Sequence, residues 1–337
     1  MEVAMSKKLY GEKIFITGGT GFLGKALAEK LFSLGCEITI FSRSERPQVE
    51  MKRKFPDFNY ILGDVKDDKS VYNAMNGHSI VIHAAALKHV PVAENQPIEA
   101  MKNNIIGSIN VLECAKKINS VGNCIGISTD KAAQPTSVYG MTKLLMEKMF
   151  YEIADNYPDT AFSLVRYGNV LFSSGSVIEI WIKLAKQGKK LKITVPEMTR
   201  FFFLVEEAVD VILESIDLSE EYKEKGYPCI NYVPKIKACV LQDILEVIMA
   251  KFNYDYDMVE VIGNRGNENI HEILVNENEA EGSEMLKNAF NGKGAYILGT
   301  GEKNAKIPPY ISDQAQKMTQ NEISDILEIS GVYETIE

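Results

Sequence analysis

Basic residues are in short supply. Thirty-seven Lys and Arg stand against 46 Asp and Glu, a formal net charge of −9, so no broad cationic face is available to a nucleic acid. The five cysteines, at 36, 114, 124, 229 and 239, form no CxxC unit, which excludes a thiolate metal knuckle and leaves reduced, buried thiols in a cytoplasmic protein as the expectation. The four histidines (78, 83, 89 and 271) make no HExxH and no other ligand cluster, so no metal is expected. No apolar run reaches about 18 residues, and the opening MEVAMSKKLYGEK has no leader-like apolar stretch; a soluble, untargeted protein without a membrane partner is expected. No internal repeat is visible.

What is present is a chain of 337 residues, 45% hydrophobic, enough for a main domain and a second lobe. The segment KIFIT (13–17) reads as an apolar strand, GGTGFLG follows at once, KALAEKLFSLG reads as a helix, and EITIFSR as the next strand. The alternation continues through NYILGDV, a helix near 67–76, SIVIHAA, a helix through about 97–119, CIGIST, a helix over 138–156 and FSLVRYGNV. This predicts an α/β fold, a Rossmann-like doubly wound parallel sheet over residues 1–170, followed by a smaller C-terminal substrate-binding lobe in 171–337. Within the second part the helix at 204–216 has the option of packing back on the sheet, and the acidic, Gly-bearing stretch 277–300 is expected to be a solvent-exposed excursion.

Gly18, Gly21 and Gly24 stand between a strand and a helix, where backbone N–H groups can face a pyrophosphate. The spacing is GxxGxxG, not GxGxxG, and with Thr20, Phe22 and Leu23 it forms the expected dinucleotide turn. At the end of the second strand Ser42 and Arg43 occupy the place where an NAD-selective site puts an acid; Arg43 suits a 2′-phosphate, so NADP is expected, with a surface Arg43 and Glu45 on the ribose as the other reading. Asp64 and Val65 after the third strand, and Ala84, Ala85 and Ala86 after the fourth, complete the expected cofactor wall.

Tyr139 and Lys143 are four apart on a predicted helix and share one face. A phenol with a reference pKa of about 10 becomes a usable base only beside a cation. Ser128-Thr129-Asp130-Lys131, at the preceding strand end, brings hydroxyls, an acid and an amine to the same neighbourhood.

With these residues the sequence resembles the extended short-chain dehydrogenase/reductase family. STDKAAQPTSVYGMTK, HAAALKHVPVAE and PEMTRFFF are similar to the inverting, C5-epimerising UDP-N-acetylglucosamine 4,6-dehydratases over roughly residues 11–275. Relatives that retain C5 usually carry Asp-Glu where this chain has Asp130-Lys131. The resemblance implies that Tyr139 takes the C4 hydroxyl proton, Thr129 holds the substrate oxygen and Lys143 supports phenolate and nicotinamide ribose. Lys131 would then remove the C5 proton and Asp130 protonate the departing C6 hydroxyl. It further implies Asn104 as a structural or cofactor-side asparagine, and Lys88, Asn169, Thr199, Arg200, Arg265 and Glu268 as contacts to a UDP-sugar. A homo-oligomer, dimer or hexamer, is implied as well. Ser174, Val195, Asn267 and Asn269 depart from the family's usual residues at the substrate end. The other readings are a 5,6-dehydratase forming an exocyclic alkene, a C4 epimerase, and an NADP-binding regulatory or assembly protein.

Overall fold

Ile14, Phe15, Ile16 and Thr17 of the strand Lys13–Thr17 are buried, and the strand runs parallel to Glu37–Ser42 on one side and Ile80–His83 on the other. In a computed structural model describing residues 8–157, 159–171, 176–264, 268–300 and 307–335, these strands lie within one nine-stranded sheet. Its order is Glu284–Leu286, Ala295–Leu298, Cys229–Pro234, Ala161–Val165, Asn123–Ile127, Ile80–His83, Lys13–Thr17, Glu37–Ser42 and Asn59–Leu62. The last seven are mutually parallel and the first two antiparallel. The chain winds outward to Asn59–Leu62, then crosses to Ile80–His83 and winds the other way. The direction therefore reverses beside Lys13–Thr17, and a crevice opens there beyond the carboxyl ends of the strands.

Alternate strand residues feed two cores, as the two-residue side-chain period requires. Ile14, Ile16, Ile38, Ile40 and Ile82 pack with Leu27 and Leu31 of Phe22–Ser33 and with Val209, Ile212 and Ile216 of Val205–Glu224. Phe15, Phe41, Val81, Phe162 and Leu164 pack on the opposite face with Val71, Val111, Met146 and Phe150. A third core joins Trp181, Ile182, Phe202, Ile244, Ile248 and Leu327 in the second lobe.

The stretch 277–300 is not an exposed excursion. Glu284–Leu286 and Ala295–Leu298 are the antiparallel edge of the main sheet, and Ala295, Tyr296, Ile297 and Leu298 are all buried. Its acids are accommodated by distant partners: Tyr222 donates to Glu284, and Arg166 grips Glu279. The helix expected through 97–119 is broken into Pro97–Met101, a π-helical turn Lys102–Ile106 and Gly107–Lys117, which turns Asn103 and Asn104 inward. Val138–Asn156 forms as one helix, capped by the Ser137 hydroxyl accepting from Gly140 N–H at 3.2 Å. Among the described residues no helix is long and apolar enough to cross a membrane.

Candidate active site

The crevice at the sheet reversal is a cleft of about 1220 Å³ running from the glycine turn to the second lobe. Gly18, Thr20, Gly21, Phe22, Leu23 and Gly24 line one end of it. Gly18 has φ +69°, and a Cβ there would stand 2.8 Å from Ala85 backbone atoms. A Cβ on Gly24 would lie 2.6 Å from the Gly18 carbonyl oxygen. Gly21 caps the helix Phe22–Ser33 without a side-chain cap, and no acid sits in the first turn, so the first N–H groups and the positive end of the helix dipole face the cleft unopposed. This cradle fits a dinucleotide pyrophosphate. Gly24→Ala is expected to destabilise the protein by about 1–3 kcal/mol through backbone overpacking. The exposed Gly122→Ala, with nothing nearer than 3.9 Å, should stay within about 0.5 kcal/mol; urea midpoints of the two variants make the comparison.

Ala84, Ala85, Ala86 and Val65 line the same wall. Asp64 is turned onto its own loop, accepting from Lys66 N–H at 3.0 Å, and does not line the cleft. Asn104 is also withdrawn: its amide brackets Leu87, accepting from N–H at 2.7 Å and donating to the carbonyl at 3.0 Å, and it bonds Thr142 Oγ1 at 3.0 Å. Its work is to pin the Ala86–Lys88 loop to the helix carrying Tyr139, so a direct cofactor contact is corrected to a supporting one. Ser42 Oγ accepts from Gln48 Nε2 at 3.0 Å, and Arg43 Nη1 donates to Asn103 Oδ1 at 3.0 Å, which ties part of the guanidinium to the π turn.

Thr129, Lys131, Tyr139 and Lys143 meet at the middle of the cleft. Lys143 Nζ donates to the Ile127 carbonyl at 2.7 Å, and burial lowers its pKa to about 8 against the opposing pull of Glu147. Burial pushes the Tyr139 phenol up to about 12, resisted by the Lys131 cation and by a hydrogen bond with Thr129. Thr129 Oγ1 donates to Asp130 Oδ1 at 2.8 Å, and Lys131 Nζ donates to the same oxygen at 3.0 Å. Asp130 itself is buried beneath the lysine. Burial favours the neutral amine of Lys131, but Asp130 and Glu272 overcome it and leave the pKa raised. His83, bracketed by Thr17 at 2.8 Å and Ser108 at 2.9 Å, is held neutral by burial, with its pKa lowered to about 3.

On the second-lobe side Lys88, Asn169, Arg200, Glu268 and Asn269 line the cleft. Thr199 does not; its hydroxyl is shared with His271 Nδ1 at 2.8 Å and Ser312 Oγ at 2.6 Å. Arg265, Ser174 and Asn267 lie outside the described residues. Two features escaped the sequence reading. Glu272 reaches Lys131 Nζ at 3.6 Å and Arg200 Nε at 3.5 Å. Behind Ser128, Arg166 is buried between Glu147 and Glu279. Glu272 lies four residues after the candidate contact Glu268, and nothing else in the sequence marks it. Nothing local marks the Arg166 cluster.

The chain is 35% identical to a UDP-N-acetylglucosamine 4,6-dehydratase (inverting) of Campylobacter jejuni, over 94% of this chain and 97% of that protein. It is also 35% identical to a UDP-glucose 4-epimerase of Rickettsia bellii, over 93% of this chain and 94% of that one. The X-ray structure of Pen from Bacillus thuringiensis superposes with a TM-score of 0.84 at 27% identity, covering 95% of this chain and 99% of that one. The expectation of NADP is overturned by structures of this fold that carry a nicotinamide cofactor. DesIV, a dTDP-glucose 4,6-dehydratase from Streptomyces venezuelae, holds NAD (TM-score 0.70, 14% identity, 96% and 100% covered). So does UDP-glucose 4-epimerase from Thermus thermophilus (TM-score 0.64, 18% identity, 76% and 88% covered). Arg43 lines the cleft and gives one guanidinium nitrogen to Asn103. Residues 14–293 match the family described as polysaccharide biosynthesis protein, and the chain belongs to that family, a branch of the extended short-chain dehydrogenase/reductases related to inverting UDP-N-acetylglucosamine 4,6-dehydratases, as an enzyme of the nicotinamide-dependent sugar-nucleotide dehydratase/epimerase class.

Proposed function

We propose that the protein is an NAD-dependent UDP-N-acetylglucosamine 4,6-dehydratase that inverts C5. The observation that carries this reading is the Asp130–Lys131 pair, bonded at 3.0 Å, with Lys131 lining the same cleft as Thr129 and Tyr139 and Asp130 buried directly behind it. A C4 epimerase has use for Tyr139 and Lys143 but gives no task to a buried acid and an amine beside them.

Bound NAD supplies acceptance of a hydride from C4 and its return to C6. Tyr139 takes the C4 hydroxyl proton, with Thr129 holding that oxygen and the Lys131 cation lowering the cost of the phenolate; Lys143, on the same helix face, is proposed to add its own charge. Oxidation at C4 acidifies the C5 hydrogen. Transfer of one proton from the Lys131 ammonium to the Asp130 carboxylate turns the ion pair into an amine and a carboxylic acid, and substrate that expels water from the cleft favours this neutral form. The amine removes the C5 proton; the acid protonates the C6 hydroxyl as it leaves as water. Lys131 is then again an ammonium and Asp130 again a carboxylate, as at the start, and the proton that Tyr139 took from the C4 hydroxyl balances the one that C5 receives on its opposite face. Lys88, Asn169 and Glu268 are the cleft residues proposed to meet the UDP-sugar, while Arg200, bonded to the Thr199 and Ile270 carbonyls, braces that wall.

Incubation with UDP-N-acetylglucosamine in D2O, followed by mass spectrometry and NMR, tests the reading. A product lighter by one water once the added deuterium is allowed for, with a C6 methyl group and deuterium at C5, is expected. An unchanged mass with an inverted C4 would instead establish epimerisation, the activity named for the Rickettsia relative, and an exocyclic alkene would establish 5,6-dehydration.

A further inference from the structure

Glu272 has not been given a part in the chemistry above, yet this carboxylate of the second lobe reaches the catalytic loop at Lys131. It lines the cleft and is 4% exposed. Its Oε1 lies 3.6 Å from Lys131 Nζ and 3.5 Å from Arg200 Nε, while Oε2 is buried without a hydrogen-bond partner among the described residues. A buried, half-satisfied carboxylate costs stability unless its field is used. Its backbone is fixed by Ser312 Oγ, which accepts from Glu272 N–H at 2.8 Å and is itself tied to Thr199.

Arg200, expected to hold a phosphate, is largely committed to this brace. Its Nη1 donates to the carbonyls of Thr199 at 2.8 Å and Ile270 at 3.0 Å, its Nη2 faces Met198 Sδ at 3.3 Å, and its Nε points to Glu272. A guanidinium with carbonyls on one side and a carboxylate on another is a rigid support.

We propose that Glu272 is a positioning residue for Lys131: with Arg200 behind it, it holds the lysine from the second lobe as Asp130 holds it from the first, and so fixes where the amine stands and how readily it gives up its proton. This deepens the dehydratase reading and rests on it for the role of Lys131. The charged and titratable groups facing the cluster are Asp130, Lys131 and Tyr139 from the loop and helix of the main domain, and Arg200 from the second lobe. Burial raises the Glu272 pKa, opposed by Lys131, so this acid and Asp130 compete for the same cation. Two carboxylates on one lysine hold its ammonium form in place until substrate arrives. Asp130 Oδ2 is likewise buried and unpartnered among the described residues, which places an open acceptor on each side of the lysine.

The test is Glu272→Gln, an isostere that removes the charge. Side-chain NMR of lysine-labelled, ligand-free protein follows Lys131, assigned by loss of its signal in Lys131→Arg. In Glu272→Gln the ammonium should titrate about 1 pH unit or more lower, because one of its two counter-charges is gone. Turnover of UDP-N-acetylglucosamine should fall about 10²-fold in kcat with KM changed less than about 3-fold, as misplacement of a reacting group without loss of substrate binding requires. Glu272→Asp, which keeps the charge on a shorter arm, should restore most of the titration and part of kcat; it also serves if the glutamine variant does not fold. An unmoved Lys131 titration, or a loss confined to KM or thermal stability, overturns the proposal. The titration is read without substrate. Failure of the wild-type enzyme to lose water would therefore sink the dehydratase reading alone, and an unmoved titration would sink the role of Glu272 alone.

Discussion

Lys131→Ala is expected to end water elimination, lowering kcat by about 10²–10⁴-fold, the range that positioned acid–base groups supply, while NAD binding stays within about 2-fold of wild type because the glycine turn is untouched. Alanine alone leaves an ambiguity, since it also strips the cation from Asp130 and Glu272. Lys131→Arg removes it. A guanidinium keeps the positive charge but does not lose its proton in a protein, so a purely electrostatic lysine would be rescued by arginine and a base would not. The expected result is that Lys131→Arg folds and binds NAD but loses water no faster than Lys131→Ala. With Tyr139 and Lys143 intact, C4 oxidation should still proceed, and the absorbance of reduced nicotinamide should build up because hydride has no carbon acceptor at C6. If both variants turn over at the wild-type rate, Lys131 has no role as the base.

The cofactor end and the Tyr139–Lys143 pair were legible because their information is local. GGTGFLG needs only the adjacent strand and helix, and an i,i+4 pair needs only the helix Val138–Asn156. The edge strands Glu284–Leu286 and Ala295–Leu298 were hidden because the pair joins the sheet through Ala295–Leu298 on Cys229–Pro234, far away in sequence, and because acids flank the short apolar core. Asn104 and Arg200 were singled out as contacts to cofactor and sugar nucleotide, whereas the partners the structure shows include backbone carbonyls and amides, and sequence does not say which way a side chain turns. Arg43 misled for the same reason: its residue type suits a 2′-phosphate, whereas its geometry joins Asn103. Glu272 acquires meaning only once the second lobe is laid against the loop carrying Lys131.

Arg166→Leu should be the most destabilising single substitution outside the apolar cores. The Arg166 side chain is 1% exposed; its guanidinium meets both oxygens of Glu147 and both of Glu279, and it donates to the Leu274 carbonyl at 2.9 Å. Removing it leaves two acids facing each other away from water, at a cost of about 3–5 kcal/mol. For a chain of this length that corresponds to a fall in Tm of roughly 4–7 °C. Calorimetry with NAD absent provides the measurement, and a loss below about 1 kcal/mol would show the cluster to be dispensable. Most of the cost comes from the stranded acids, not from the absent attraction. The triple variant Glu147→Gln, Arg166→Leu, Glu279→Gln should therefore be more stable than Arg166→Leu alone, since a neutral site of similar volume has no buried charge to leave unpaired. Its activity should nevertheless be low. Glu147 opposes the burial that lowers the Lys143 pKa and also accepts from Ser128, one residue before Thr129, so a neutral amide at 147 lets Lys143 lose its proton more easily. Fewer enzyme molecules then carry the cation that the Tyr139 phenolate needs. Stability and turnover should thus part company in the triple variant, the first recovering while the second does not, because the cluster anchors the second lobe through Glu279 and sets the charge of the active-site lysine through Glu147.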